Sequence, residues 1–289
     1  MDLLKKLGQF IVYSNIFVSF CVLALCQSTS IIIGVDSSHL LPFVFFSTLF
    51  AYNFQRIMRF NPIKEQSVHL EWLNKNRLFI ILITVISLSL SVYYAFTLSF
   101  STYYFLIPAS IISLSYPIKI IPLGSQKVSL RELPRAKIFL IALVWSIVSV
   151  ALVTLANDSF YNLDTLLLFI SRFSFVLAIT IPFDIRDLKY DDLSLKTIPQ
   201  IFGEQKAKMI ALYCLAFFEL ISIFHFFVGD FSWQLLLALM LTSLLSGILI
   251  IRTSQVKNNF FFSFWLEGAS IIMYLLLFII PLAFGILAL

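Results

Sequence analysis

Long apolar runs, separated by short polar segments, make up most of this chain. Of its 289 residues, 60% are hydrophobic and only 12% are charged, which is about half the charged share of a soluble domain. A run of about 20 apolar residues can cross a bilayer as a helix, and a helix satisfies its own backbone hydrogen bonds in lipid. A transmembrane barrel would instead show alternating segments of about ten residues. The sequence therefore predicts an all-α integral membrane protein.

Nine apolar segments are long enough to be membrane-spanning helices. They cover residues 8–27, 38–58, 78–98, 101–118, 137–156, 164–183, 207–228, 232–251 and 268–288. Only the polar stretch LSFST divides the third segment from the fourth. The first segment is too long for a signal-peptide core and lacks a small-residue cleavage site, so we expect it to be retained. We therefore predict one transmembrane domain over residues 1–289.

The basic residues lie almost entirely on one side of the predicted membrane. Every lysine and arginine except Arg172 precedes the first helix or belongs to the loops that follow the second, fourth, sixth and eighth. The opposite loops carry Asp36, Asp158, Asp164 and Asp230 and no basic residue. The positive-inside rule then predicts a multi-pass protein of a bacterial inner (plasma) membrane, with its N-terminus cytoplasmic and its C-terminus outside. The net charge of +5 follows from this asymmetry and requires no nucleic-acid partner.

Two charged residues fall inside predicted spans. Arg172 lies in the sixth helix and Glu219 in the seventh, each roughly 18–20 Å from the cytoplasmic end at a rise of about 1.5 Å per residue. An isolated charge at that depth is costly, so we expect an ion pair between these two helices. A functional role in a cavity is the alternative. The three cysteines and three histidines show no spacing typical of a metal site or a disulfide.

An acidic segment, FDIRDLKYDD, follows the sixth span at residues 183–192. On a helix, the spacing of Asp184, Asp187 and Asp191 brings their side chains within about 60° of one another. Three carboxylates on one face repel each other unless a cation lies among them. Mg²⁺ prefers such oxygen ligands and leaves positions for water and substrate phosphate. The three aspartates are therefore predicted to bind Mg²⁺.

The continuation DIRDLKYDDLSLKTIPQIFGEQKA resembles the second aspartate-rich signature of the UbiA-type intramembrane prenyltransferases. That signature reads D-x-x-D-x-x-x-D, then K/R-T-hydrophobic-P, then F/L-G. The matching residues are Asp184, Asp187, Asp191, Lys196, Thr197, Pro199, Phe202 and Gly203. Only this motif is specific, but the nine spans and the large loops after the second, fourth and sixth helices fit the same superfamily over nearly the whole chain.

The resemblance implies a fold and a reaction. Nine helices would surround a central cavity, in which an isoprenyl diphosphate binds with Mg²⁺ between two aspartate-rich motifs. Asp184 and Asp187 would be catalytic. The metal and basic residues stabilise the diphosphate as it leaves, and the apolar cavity shields the allylic cation from water. The implied partners are the isoprenyl diphosphate, a lipophilic and often aromatic acceptor, and the surrounding membrane lipid.

The first aspartate-rich signature, N-x-x-x-D-x-x-x-D, is incomplete. Asn53 matches, but Ile57 and Asn61 occupy the aspartate positions, and Arg56 and Arg59 lie beside them. Arginine can bind diphosphate oxygens in a bidentate manner without a metal. Three interpretations follow: cationic side chains replace one Mg²⁺, the site binds a different headgroup, or catalysis has been lost.

The loop after the fourth span carries further candidate ligands. Tyr116 and Lys119 match a Tyr and a nearby Lys that family members often have there, and Lys119 is a candidate catalytic residue. Arg131, Arg135 and Lys137 form a basic cluster that binds either anionic lipid headgroups or the diphosphate. The candidate diphosphate contacts of the whole chain are Asn53, Arg56, Arg59, Tyr116, Lys119 and Lys137.

Three functional classes remain at this point. A prenyltransferase accounts for the signature, the spans and the charge distribution. A non-catalytic binder of isoprenoid diphosphates or lipids on the same fold accounts for the incomplete first signature. A transporter would need broken helices with charges at the midplane, for which Arg172 and Glu219 are the candidates.

Overall fold

The computed structural model describes residues 2–58, 68–124, 126–160, 162–229 and 231–285. These residues are helical, apart from a hairpin of β1 (Ile121–Leu123) and β2 (Gln126–Val128) and the connecting turns. The helices are α1 (Asp2–Tyr13), α2 (Ile16–Ile33), α3 (Leu41–Met58), α4 (Val68–Lys75), α5 (Arg77–Ala95), α6 (Tyr103–Ser115), α7 (Lys137–Ser146), α8 (Leu152–Leu155), α9 (Leu163–Asp187), α10 (Ile198–Phe202), α11 (Glu204–Val228), α12 (Trp233–Ile251) and α13 (Glu267–Ala283).

Seven helical segments within the described ranges are long and apolar enough to cross a membrane. They are Ile16–Ile33, Arg77–Ala95, Lys137–Leu155, Leu163–Asp187, Glu204–Val228, Trp233–Ile251 and Phe261–Ala283. Two predicted spans, 38–58 and 101–118, are not among them. The first corresponds to α3, which is less apolar because it carries Asn53, Gln55 and Arg56 near its end. The second corresponds to Phe100–Ser115, which is too short. The chain is a multi-pass, all-α integral membrane protein, and nine as the number of crossings stays a prediction.

The first membrane helix begins later than the predicted segment 8–27. Asn15 has a left-handed backbone conformation, with a φ of 63°, and separates α1 from α2. Asn53 of α3 stabilises this break, because its Nδ2 donates to the carbonyl of Ser14 at 3.1 Å and its Oδ1 accepts from Asn15 Nδ2 at 2.8 Å. The apolar run thus forms two helices, and only α2 has the length of a membrane span.

Helix α9 lies at the centre of the fold. It packs against α11 and α7, while α2 packs against α13 and α3, and α3 packs against α5. The central residues of α9, from Phe175 to Ile181, are buried throughout. Helix α5 instead exposes Leu82, Val85 and Ile86, which is typical of a surface that faces lipid acyl chains. The charged C-terminal end of α9 is consequently held between packed helices.

Two π-helical segments interrupt the spans. Ile147–Ala151 joins α7 to α8, and Phe261–Leu266 leads into α13. The extra residue in a π turn shifts backbone carbonyls out of the α-helical pattern. The carbonyl of Ser149 accepts a hydrogen bond from Thr29 Oγ1 at 2.6 Å. This contact joins the α7–α8 span to α2.

Arg172 does not pair with Glu219. Its buried guanidinium donates from Nη1 to Met273 Sδ at 3.0 Å and from Nη2 to Thr29 Oγ1 at 3.3 Å. Neither carboxyl oxygen of Glu219 has a hydrogen-bond partner among the residues that the structure describes. The predicted ion pair is therefore wrong. Equal depth in the membrane does not fix the rotation of a helix, and Arg172 faces α2 and α13 rather than α11.

Candidate functional site

Two aspartates at the C-terminal end of α9, Asp184 and Asp187, and a third in the loop that follows, Asp191, surround the side chain of Lys137, the first residue of α7. Nζ of Lys137 lies 2.8 Å from Asp184 Oδ1, 3.1 Å from Asp187 Oδ2 and 2.9 Å from Asp191 Oδ2. The contacts to Asp187 and Asp191 are hydrogen bonds. The contact to Asp184 is an ion pair that lacks hydrogen-bond geometry. Oxygens of all three carboxylates therefore lie around one ammonium group, although α9 ends at Asp187 and Asp191 is not on the predicted helix.

Arg186 is the second cation of this cluster. Its Nε and Nη2 donate to Oδ1 and Oδ2 of Asp187 at 2.7 and 3.2 Å. The guanidinium also lies over two aromatic rings, 5.0 Å from the centroid of Phe183 and 5.6 Å from that of Phe262. A bidentate pair combined with cation–π contacts fixes the plane of the guanidinium. Arg186 is therefore held rigidly beside Asp187.

The loop between α6 and α7 supplies the third cation, Arg131. Its Nη2 lies 3.4 Å from Asp191 Oδ1. Its backbone N–H donates to the carbonyl of Tyr116 at 3.2 Å, and that of Arg135 donates to the carbonyl of Leu195 at 2.9 Å. These bonds attach the loop to the end of α6 and to the loop after α9.

The turn that carries Arg131 is stabilised by Glu132. Its carboxylate accepts a hydrogen bond from the backbone N–H of Ser129 at 2.8 Å, and Lys119 Nζ lies 3.2 Å from Glu132 Oε1. Burial opposes ionisation of Glu132, but these two contacts outweigh it and lower the pKa of the carboxyl group. The side chain of Lys119 is 65% exposed. The structure thus places the ammonium group of Lys119 beside this turn and not at the aspartates.

The second half of the signature folds the loop that positions Asp191. Gln200 Nε2 donates to the carbonyls of Asp191 and Asp192 at 3.3 and 3.1 Å, and its Oε1 accepts from the N–H of Thr197 at 2.9 Å. Gly203, which joins α10 to α11, has a φ of 82°, a backbone conformation that favours glycine. The Lys-Thr-Ile-Pro-Gln segment therefore acts as a scaffold for the acidic cluster.

A cavity of ≈ 480 Å³ adjoins the cluster. Lys137, Arg186, Asp187 and Arg131 line its charged end, and the rest is formed by mostly apolar residues of α3, α5, α6, α7 and α9. Within it, Trp145 Nε1 donates to the hydroxyl of Tyr52 at 3.0 Å. Its volume falls within the usual range for small-molecule sites.

Glu267, the first residue of α13, lines the same cavity. Its carboxyl group is electrostatically coupled to Arg186 and Arg56, and Arg56 also lines the cavity. Sequence analysis did not select Glu267, because it stands alone in an apolar segment with no motif around it. The available signal was a lone carboxyl group directly before the last predicted span, 268–288.

The predicted diphosphate contacts divide into two groups. Those that line the cavity are Arg56, Tyr116 and Lys137. Asn53 lies instead at the break between α1 and α2, and Lys119 lies in the turn beside Glu132. Ile57, the first missing aspartate position, is exposed. Arg59 and Asn61 lie outside the described residues.

The cluster as arranged fits an ammonium group better than Mg²⁺. Mg²⁺ binds oxygen ligands at about 2.0–2.1 Å, whereas the three carboxylate oxygens lie 2.8–3.1 Å from Lys137 Nζ. In the part of the chain that the structure describes, no group of three His, Cys, Asp or Glu side chains is arranged to hold a metal ion. The observed side-chain positions therefore do not fit a resident Mg²⁺, and no step below passes through one.

The chain has the fold of the UbiA-type intramembrane prenyltransferases. A UbiA homologue from Archaeoglobus fulgidus, bound to GPP and Mg²⁺, is similar with a TM-score of 0.66 and 14% identity, covering 94% of this chain and 99% of that one. A digeranylgeranylglyceryl phosphate synthase has a TM-score of 0.57 and 15% identity, covering 96% and 99%.

A third similar structure is the apo form of a UbiA homologue from Aeropyrum pernix K1, with a TM-score of 0.56 and 15% identity, covering 91% of this chain and 95% of that one. No family model and no curated protein matches the sequence. Similarity at this identity defines the fold, and a fold does not by itself define an activity. The expected all-α, UbiA-like architecture is confirmed.

Proposed function

We propose that the protein transfers an isoprenyl group from an isoprenyl diphosphate to a lipophilic, aromatic acceptor. The observation that carries the proposal is an apolar cavity whose one end is lined by Arg56, Arg131, Lys137 and Arg186. An isoprenyl diphosphate has the matching shape, an apolar chain with one anionic end. A similar solved structure contains GPP, which supports this class of donor.

The basic residues at the charged end bind the diphosphate. Guanidinium groups match phosphate oxygens in a bidentate manner, and Arg186 is already oriented by Asp187. When the bond between C1 of the isoprenyl chain and oxygen breaks, its electron pair leaves with the diphosphate. Cations fixed in place before the reaction stabilise that developing charge. In this proposal Asp184, Asp187 and Asp191 position the cations.

The apolar part of the cavity binds the isoprenyl chain. Leu88, Val92, Leu106 and Leu140 are among its lining residues, and they exclude water that would otherwise capture the allylic cation. The ring of Trp145 is also exposed to the cavity, and aromatic faces attract cations. The acceptor attacks C1 from within this enclosure, forming the new bond to carbon.

Glu267 provides a base for the last step. An aromatic acceptor that gains a substituent must lose a ring proton to recover its aromaticity. Glu267 lines the cavity near Arg56 and Arg186, and in this proposal its carboxylate takes that proton. The reaction then balances, because diphosphate carries away the electron pair and Glu267 receives the proton.

The protein has a defined orientation in the membrane in this proposal. The charged end of the cavity faces the cytoplasm, because the loops that build it carry the basic residues. This places the N-terminus in the cytoplasm and the C-terminus outside, in a bacterial inner membrane. A soluble diphosphate headgroup would then enter from the cytoplasmic surface.

The test uses the purified protein in lipid nanodiscs with labelled farnesyl or geranylgeranyl diphosphate and a native lipid extract. Diphosphate release and product mass are measured with Mg²⁺ and with EDTA, so the predicted Mg²⁺ requirement is tested in the same experiment. We expect release that depends on the extract and yields a product heavier by the isoprenyl group. Absence of release under every condition would remove the proposal.

A non-catalytic binder of isoprenoid diphosphates is the second candidate. It is favoured by Ile57 at the first missing aspartate position and by the ion pairs that already engage each aspartate of the cluster. Saturable binding of geranylgeranyl diphosphate without release of diphosphate would support this candidate.

A further inference from the structure

Lys137 occupies the position in which a divalent cation would be expected. Its Nζ contacts one oxygen of each of the three aspartates within a narrow range, 2.8–3.1 Å. These are the distances of charge-assisted hydrogen bonds, and they exceed Mg²⁺–oxygen distances by roughly 0.8–1 Å. The carboxylates are thus spaced around an ammonium group.

The charges of the cluster are already balanced. Asp184, Asp187 and Asp191 contribute three negative charges, and Lys137, Arg131 and Arg186 contribute three positive charges through the ion pairs described above. A divalent ion would have to displace the cations that these carboxylates already contact, and it would also lose part of its hydration shell. Mg²⁺ in particular gives up its water reluctantly.

The position of Lys137 is fixed by the fold. It begins α7, whose following residue Ile138 is buried, and α7 packs along α9, the helix that carries Asp184 and Asp187. The lysine side chain itself is only 9% exposed. A buried ammonium group needs its counter-charges, since removal of one partner leaves an uncompensated charge. Moving the ammonium group of Lys137 away would therefore leave both it and the aspartates without their counter-charges.

We propose that Lys137 is a tethered cation that replaces a divalent metal ion among Asp184, Asp187 and Asp191. The protein then binds its anionic ligand through side-chain cations, and metal binding at the three aspartates is blocked while Lys137 is present. The identity of that ligand as an isoprenyl diphosphate rests on the proposed function. The exclusion of a metal ion by Lys137 is independent of the proposed function.

The first test measures binding of Mn²⁺ alone by electron paramagnetic resonance, since Mn²⁺ prefers the same oxygen ligands as Mg²⁺. The wild-type protein in nanodiscs is expected to bind no Mn²⁺ up to about 1 mM, the upper limit of weak calcium sites in proteins. Lys137→Gln is expected to gain one Mn²⁺ site, because three carboxylates lose their central cation. The double variant Lys137→Gln/Asp184→Asn is expected to lose it again.

Two results would overturn the inference. One is binding of Mn²⁺ by the wild-type protein that Asp184→Asn abolishes. The other is a folded Lys137→Gln protein, monodisperse by size exclusion, that gains no Mn²⁺ site. If Lys137→Gln does not fold, the wild-type measurement with Asp184→Asn decides the question alone.

The second test measures binding of geranylgeranyl diphosphate to the wild-type protein with EDTA and with Mg²⁺. The two dissociation constants are expected to agree within about twofold, whereas a ligand held through a metal would bind at least about tenfold more weakly in EDTA. Binding at least about tenfold weaker in EDTA would contradict the proposal that Lys137 replaces the metal ion. If the Mn²⁺ results hold but no diphosphate binds in either buffer, the proposed function fails and the role of Lys137 stands.

Discussion

Asn53 and Asn15 form a buried side-chain pair, with Asn15 Nδ2 donating to Asn53 Oδ1 at 2.8 Å. Asn53 is the retained residue of the incomplete first signature, and the structure places it against the break between α1 and α2. Its Nδ2 also donates to the carbonyls of Ser14 and Leu49. In this chain the asparagine stabilises helix packing, and the cavity is lined by other residues.

Asn53→Ala is therefore expected to lower stability. The substitution leaves the buried amide of Asn15 and the carbonyl of Ser14 without their partner, which costs about 2–4 kcal/mol. The midpoint of thermal unfolding in detergent should fall by about 5–10 °C. Ser47→Ala is the control, because among the described residues the hydroxyl of Ser47 donates within its own helix, to the carbonyl of Val44. An unchanged midpoint for Asn53→Ala would contradict the packing role.

Asp187→Asn is expected to reduce diphosphate release from geranylgeranyl diphosphate at least about 100-fold. The change removes the charge that orients Arg186 and one counter-charge of Lys137. Asp192→Asn is the matched control. Asp192 contacts the N–H of Ser194 outside the cluster, and asparagine caps such a turn equally well. Equal loss in both variants would mean that the loop, and not the cluster, determines activity.

Arg131 and Lys119 are expected to differ in importance. Arg131→Ala should reduce diphosphate binding about tenfold or more, because Arg131 contacts Asp191 and lines the cavity. Lys119→Ala should change it less than about threefold, because an exposed ion pair contributes little. Titration of labelled diphosphate measures both. A larger loss for Lys119→Ala would restore the catalytic assignment made from the sequence.

Glu267→Gln is expected to slow product formation about 100-fold, the lower end of the usual contribution of a general base. Binding of geranylgeranyl diphosphate should change much less, within about tenfold, because every cation at the charged end is retained. Glu219→Gln makes the same chemical change in α11, away from the cavity, and serves as control. Normal product formation by Glu267→Gln would show that another group takes the proton.

The orientation is tested by cysteine labelling in intact cells. Ser38→Cys lies in the exposed loop between α2 and α3, and Asn258→Cys is exposed before α13. In a background without the native cysteines, an impermeant maleimide should label Ser38→Cys before lysis and Asn258→Cys only afterwards. The reverse pattern would invert the proposed topology.

The sequence was sufficient for the features that depend on local pattern. Apolar runs located the membrane helices along the chain, because a bilayer requires a fixed length of apolar helix. They did not show the break at Asn15, which moves the first span to Ile16–Ile33. The spacing of Asp184 and Asp187 predicted that their carboxylates share one face of α9, because helical geometry fixes relative direction. Asp191 lies beyond the end of α9, so the loop and not the helix brings its carboxylate to the other two. The segment from Asp184 to Gly203 indicated the fold that the structure shows.

The tertiary structure decided which distant groups meet. Lys137 lies 47 residues before Asp184, and nothing local brings it to the centre of the aspartates until α7 packs along α9. The predicted pair of Arg172 and Glu219 failed for the same reason, since depth along a helix leaves its rotation undetermined. A helix fixes the directions of its own side chains, but only packing between helices determines which of them face each other.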